Sequence, residues 1–263
     1  MYLYTLRDQK SPIMMKKLLF IALLFSLIAC QSDAEIEVTT YSMADPACDA
    51  CARIELQYPM AAGKNRKEKK INASLNRWVI RAIDLSPDQE SATVEEAVAE
   101  FRKAYQKIKN DFPDDYNMNW ESTIDGEICY EDDQLLVICM ETYSYTGGAH
   151  GYGSSHYLLF SKTEGEMIDT PHLVQDQKGF MALAEKKFRA QYQLDDDSPL
   201  NEQGFMFEGD RFHLPENIGY TTSGLKLIYN PYEIAPYSEG QIIIDIPYEE
   251  VNNYLRFKGK SRI

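Results

Sequence analysis

Three strand-like runs follow one another at residues 117–130, 135–145 and 152–161, and they constrain the fold more than any other feature. Only short polar turns separate them. The first turn is Glu131-Asp132-Asp133-Gln134, and the second carries Gly147-Gly148. Parallel neighbours need a crossover of a dozen or more residues, so connections this short predict antiparallel pairing. The preceding stretch changes period. In residues 65–83, Ile71, Leu75, Trp78, Val79 and Ala82 fall at spacings of three and four, the apolar stripe of an amphipathic helix. Its basic start (Lys64, Arg66, Lys67, Lys69, Lys70) reads as a solvated face. Thr93-Val94-Glu95-Glu96 has the form of a capping box. A second helix should run from there to about Asn110, with Val94, Ala97, Phe101, Tyr105 and Ile108 inward. Residues 36–41 and 53–58 read as strands, the latter ending at Pro59. Residues 180–192 read as a helix. The last third is strand-rich, at 210–214, 219–222, 225–229 and 241–246, before a short helical segment at 248–255. This order predicts an α+β fold, a mainly antiparallel sheet with packing helices.

The first thirty residues have a separate logic. Lys16-Lys17 precedes an apolar run from Leu18 to Ala29, broken only by Ser26. Such a run of about a dozen residues is a signal-peptide core, because a bilayer span needs about twenty. It closes on Leu27-Ile28-Ala29-Cys30, which resembles the bacterial lipobox. That resemblance implies that residues 1–29 are a signal peptide, and because residues 1–13 are unlike an n-region, Met14 or Met15 is the expected start. It also implies that the Cys30 thiol carries lipid and that residues 30–35 are a tether. Gln31, in place of Asp, resembles the outer-membrane sorting pattern, on either its periplasmic or its surface face. Lipid is then the membrane partner of the chain.

The chain carries 41 acidic against 27 basic residues, a net charge of −14. Phosphate backbones are bound by clustered Lys and Arg, so nucleic acid is excluded as the main partner. Cleavage before Cys30 would remove Arg7, Lys10, Lys16 and Lys17 with Asp8 alone, leaving a still more acidic domain. Of five cysteines, Cys30 is the anchor and Cys48, Cys51, Cys129 and Cys139 are disulfide candidates in an oxidising compartment. Cys48-Asp49-Ala50-Cys51 sits before a strand rather than at a helix start, which suits a local structural disulfide better than a redox pair. For Cys129 and Cys139 the hairpin register decides. A two-residue loop sets Cys129 opposite Leu136, and a three-residue loop sets it opposite Val137. Only a longer loop centred on Gln134 sets it opposite Cys139. A four-cysteine zinc site normally uses two C-x-x-C knuckles, and only one is present, so no metal is expected. Asp195-Asp196-Asp197 lacks the ligand series of a calcium loop. No cofactor is implied.

Tyr143-Ser144-Tyr145-Thr146-Gly147-Gly148-Ala149-His150 resembles the Y-x-Y-x-G-G-A-H signature of a bacterial extracytoplasmic domain. That domain is shared by RsiV-type lysozyme-sensing anti-sigma factors and PdaC-type peptidoglycan deacetylases. A second region, Leu225 through Tyr237 with Gly240 and Ile246-Pro247-Tyr248, resembles the family's second part. The resemblance covers residues 36–256. It implies a PdaC-like part at 36–150 and an RsiV-like part at 151–263, two closely integrated subdomains. Neither a cytoplasmic domain, a membrane helix nor a deacetylase catalytic domain is recognised. Asp132-Asp133 is present, but His150, His156, His172 and His213 are scattered. What the resemblance carries over is the ligand-side module.

Within it, Gly147-Gly148 permits a sharp turn with positive φ. His150 lies just beyond, near Tyr143, Tyr145 and Tyr152. These residues form either a binding loop (Gly147, Gly148, His150, Tyr152) or a turn in which His150 satisfies buried backbone groups. Tyr229, Tyr232, Tyr237 and Tyr248 crowd the second motif, with Tyr232 and Tyr237 the candidate aromatic surface. No catalytic constellation identifies an enzyme. The leading expectation is a non-catalytic envelope lipoprotein that binds a protein such as lysozyme, or peptidoglycan. The alternatives are a wall hydrolase or deacetylase using His150, and a structural or assembly lipoprotein of the outer membrane.

Overall fold

The computed structural model describes residues 36–46, 51–85, 91–113 and 118–261. The signal segment, Cys30 with its tether, and Cys48 lie outside the described residues. Six strands form the main sheet in chain order. They are β1 (Val38–Ala44), β2 (Ala52–Ala61), β3 (Trp120–Glu131), β4 (Leu135–Tyr145), β5 (Tyr152–Ser161) and β6 (Met167–Ile168). All neighbours are antiparallel except β2 and β3. That parallel pair needs its crossover, which two helices supply, α1 (Arg66–Ile83) and α2 (Val94–Asp111).

Both helices start where side chains can satisfy free backbone N–H groups. The Asn65 side chain accepts from Lys67 N and Glu68 N at 3.0 and 3.3 Å. Thr93 Oγ1 accepts from Glu96 N at 3.1 Å. Glu96 reaches back to Ala92 N at 2.8 Å, one residue earlier than the usual box. The stripes then pack on one face of the sheet. Ile71, Leu75, Val79, Val94, Ala97 and Phe101 are buried with Leu56, Ile124, Leu136, Ile138, Met140 and Phe160.

The opposite face carries the second layer. A three-stranded antiparallel sheet, β7 (Asn217–Tyr220), β8 (Gly224–Tyr229) and β9 (Ile242–Pro247), packs there. With it come the short α3 (Thr170–Leu173), α4 (Gln177–Gln191) and the short α5 (Tyr248–Val251). Phe188 of α4 is the hub, its ring within 4.8–6.4 Å of Tyr192, Phe205, Phe207, Phe212 and Tyr229. Leu135-Leu136-Val137-Ile138 is therefore buried without a break. Leu135 and Val137 enter this second core, while Leu136 and Ile138 enter the helical one. The expected α+β fold of two closely integrated parts is observed, with the main sheet as their shared wall.

Three local expectations need correction. Strand β2 continues through Pro59 to Ala61. Its pairing with β3 has ended at Gln57, and the Pro59 ring lies on that side, beside Gly126. The missing N–H therefore breaks no ladder bond. Residues 210–214 form no strand. Asp210 sits at φ 56, the His213 carbonyl accepts from Tyr229 Oη, and Pro215 precedes β7. Finally, no single register describes the β3–β4 hairpin. Next to the turn, Glu131 faces Leu136 and Tyr130 faces Val137, because Asp132 Oδ1 accepts from Gln134 N and Leu135 N. The register then shifts at Cys129, and Glu127 faces Cys139. This bulge brings the Cys129 and Cys139 Cα atoms to 5.8 Å, and the two are disulfide-bonded. That bond removes both from any zinc site. Cys51 is also disulfide-bonded.

Candidate functional site

Past Met140 the β4–β5 hairpin outruns both cores, and its side chains change from aliphatic to aromatic and polar. The chain turns at Gly147 and Gly148, with φ of 104° and 98°. Gly148 has open space where a Cβ would stand, so the glycine is required by backbone angle alone. Gly151 is required by contact instead. A Cβ there would stand 2.4 Å from the Tyr143 ring, which lies across it. At the tip, Gly147 and Gly148 thus make the turn and Gly151 seats an aromatic ring.

His150 is itself exposed, and its Nδ1 reaches one buried backbone group, the Gly151 carbonyl. Its ring stacks on Tyr237, with centroids 4.0 Å apart and planes 16° off parallel. Tyr237 Oη donates to Gly151 O at 3.0 Å. His150 Nδ1 lies 2.9 Å from the same carbonyl. A carbonyl only accepts, so that nitrogen carries the proton. Nε2 is then free to accept from Tyr232 Oη, 3.5 Å away. Tyr232 is 55% exposed and its φ is +72°. A bulky side chain in the left-handed region costs about 1–3 kcal/mol and persists only where its surroundings hold it. They do so here. Tyr232 N donates to Ala235 O, Glu233 N donates to Asn230 O, and Asn230 N donates to Glu233 Oε2. Burial holds the Glu233 carboxyl above its ordinary pKa. Tyr152, 41% exposed, leans on the same turn through Pro231 O at 3.4 Å. Burial, helped by Glu233 and Glu216, raises its phenol pKa.

The two elements are joined by a buried amide. Asn230 Oδ1 accepts from Ser155 N at 2.9 Å, and Asn230 Nδ2 donates to Ser155 O at 3.0 Å. The side chain thereby imitates a paired strand. Gln241 Nε2 donates to Ser155 Oγ at 2.7 Å and to Asn230 Oδ1 at 3.0 Å. Ser155 Oγ donates on to Glu141 at 2.6 Å. Beside this network lies an open depression of about 430 Å³, lined by Glu141, Thr142, Tyr143, Pro231, Tyr237 and Gln241 among others. Tyr229 and Tyr248 stand apart from it. Both are buried in the second core.

Residues 48–152 match the family model described as "Deacetylase PdaC". Residues 174–249 match that described as "Protein of unknown function (DUF3298)". The chain carries a PdaC-like part followed by a DUF3298-like part. Among solved structures, a DUF3298 family protein from Pseudomonas aeruginosa PAO1 is 18% identical with a TM-score of 0.61. It covers 87% of this chain and 99% of its own. A DUF3298 family member from Bacteroides fragilis NCTC 9343 is 20% identical with a TM-score of 0.61, covering 84% of this chain and 94% of its own. At these identities the likeness shows the fold. No curated protein matches. The His150–Tyr237 stack joins the PdaC-like part to the DUF3298-like part, so the tip draws residues from both.

Chemically, the tip offers contact surface. His150 is oriented by a carbonyl and two phenol rings, and among the described residues no carboxylate is hydrogen-bonded to it. Among the described residues no group of three His, Cys, Asp or Glu side chains is placed to hold a metal ion. Sequence reading named Gly147, Gly148, His150, Tyr152, Tyr232 and Tyr237, and the structure brings them together. It missed Asn230, Ser155 and Gln241. The Asn230-Pro231 pair is a turn signal and could have flagged the first.

Proposed function

We propose that the chain is a non-catalytic envelope lipoprotein, anchored by lipid on Cys30 in the outer membrane, that binds a basic protein ligand of the lysozyme kind through the hairpin tip. The observation that carries this is exposed His150 stacked on half-buried Tyr237, with exposed Tyr232 held at φ +72° beside it. Exposed, rigid tyrosines are contact residues at interfaces. Backbone strain stored on a surface turn marks a position held for contact rather than for packing. Glu141, Glu216 and Glu239 are exposed around the tip, and the whole chain is acidic, which steers a basic partner. A second reading, a peptidoglycan fragment, is favoured by the depression beside the stack, where Tyr143 and Tyr237 meet Glu141, Thr142 and Gln241. Rings flanked by amide, hydroxyl and carboxylate groups suit a sugar. Titration calorimetry with lysozyme and with muropeptides at moderate salt tests both readings. Saturable binding of either supports the proposal, and binding of neither removes it.

A further inference from the structure

The outward face of α1 is basic in an acidic protein. Arg66, Lys69 and Arg77 are all exposed, at spacings of three and eight, so they form one stripe along the helix. Lys64 and Lys67 extend it at the start. The helix's own acid, Glu68, is buried, and Glu166 is paired with Lys70 at 2.6 Å. Among the described residues, Glu164 is the other carboxylate lining the hollow at this end.

The same corner is where the described chain begins. Val38 pairs with Ala61, Glu37 O accepts from Ala62 N at 2.8 Å, and Asn72 of α1 bonds both the N–H and the C=O of Ala61. Ile36 is buried in the helical core. Residues 31–35 are all that separates Ile36 from Cys30. Such a segment reaches roughly 20 Å at most.

We infer that the basic face of α1 seats the domain on a membrane surface of anionic phospholipid headgroups. The inference rests on the lipoprotein reading, which supplies the short tether that would hold this corner at a bilayer. Each basic group near an anionic surface changes partitioning roughly fivefold. Seating α1 against the bilayer gives the domain a fixed orientation, where lipid alone leaves it free to turn.

The test uses the chain without residues 1–29 and with Cys30→Ser, so that neither the signal segment nor lipid contributes. Every described contact lies within residues 36–261, so this removal disturbs none of them. Co-sedimentation is measured with phosphatidylcholine vesicles, with and without phosphatidylglycerol, at low salt and near 1 M salt, where the Debye length is about 3 Å. The expected result is partitioning into the anionic vesicles that high salt abolishes. Arg66→Glu with Lys69→Glu should reduce it by roughly tenfold or more. Reversing the exposed Lys178 and Lys186 of α4 makes the same change in net charge and should have a much smaller effect. No partitioning at low salt, equal uptake by neutral vesicles, or equal loss from both charge reversals would overturn the inference. The mass of the chain exported by cells reports Cys30 lipidation separately. An unlipidated Cys30 sinks the lipoprotein reading and leaves the vesicle result to stand by itself.

Discussion

The β4–β5 hairpin has two ends built on opposite plans. At its root, Leu135–Ile138 and Leu158–Phe160 are buried on both faces between two cores, with a disulfide from Cys139 to β3 alongside. At its tip, the same two strands and their connecting loop carry Tyr143, His150 and Tyr152 into solvent, and Gly151 stands where the Tyr143 ring lies across the backbone. A root of this kind fixes the fold, because every side chain has packed neighbours on both sides. A tip of this kind gives up that packing and keeps its shape through hydrogen bonds and one strained residue. The comparison assigns stability to the root and recognition to the tip, and each assignment can be broken separately.

The largest effect should come from the root. Phe160 is fully buried, so Phe160→Ala should cost about 3–5 kcal/mol in denaturant unfolding. Tyr152→Ala at the tip of the same strand should cost only about 0.5 kcal/mol. Equal losses would end the distinction. Next, Cys129→Ser with Cys139→Ser opens a short loop and should lower stability by about 2–3 kcal/mol, read as a lower unfolding midpoint. A smaller effect, of opposite sign, is expected at the tip. Tyr232→Gly relieves the positive φ and should raise stability by about 1 kcal/mol while removing a contact ring. A destabilised variant would show that Tyr232 is a packing residue after all.

The smallest effect concerns His156, which lies on β5 between root and tip. Burial holds its imidazole below the ordinary value of 6.5. Its ring meets Trp78 edge-on, and Nε2 lies 2.9 Å from Ser154 Oγ. As pH falls below about 6.5, the unfolded chain takes up a proton that the folded chain refuses until its own lower pKa is reached. The unfolded state then binds more protons, so stability falls with pH across that window. The difference in stability between wild type and His156→Gln should therefore narrow as pH drops from 7 towards 5 in unfolding titrations. A constant difference would contradict the burial argument.

Much of this was legible in residue order. The helix stripes, the Thr93 cap and the three central strands follow from periodicity, because tertiary packing reinforces the local preferences there. The same holds for the named tip residues, since paired glycines beside tyrosines can do little except turn and display them. What was not legible depends on neighbours distant in sequence. Pro59 is tolerated because β3 has already parted from that edge. The Cys129 bulge arises because Asp132 fixes the turn in one register and the core demands another. Residues 210–214 alternate like a strand, but no sheet edge receives them. Asn230 acts as a strand partner for Ser155 across a long stretch of intervening chain, and no local pattern announces that.

The most direct test of the central claim is a titration of lysozyme and of muropeptides into wild type and into the double variant His150→Ala, Tyr232→Ala. Both residues are exposed, so the unfolding midpoint should hold while affinity falls by roughly tenfold or more, as expected for paired contact residues. Undiminished affinity in a folded double variant would contradict the assignment of recognition to the hairpin tip.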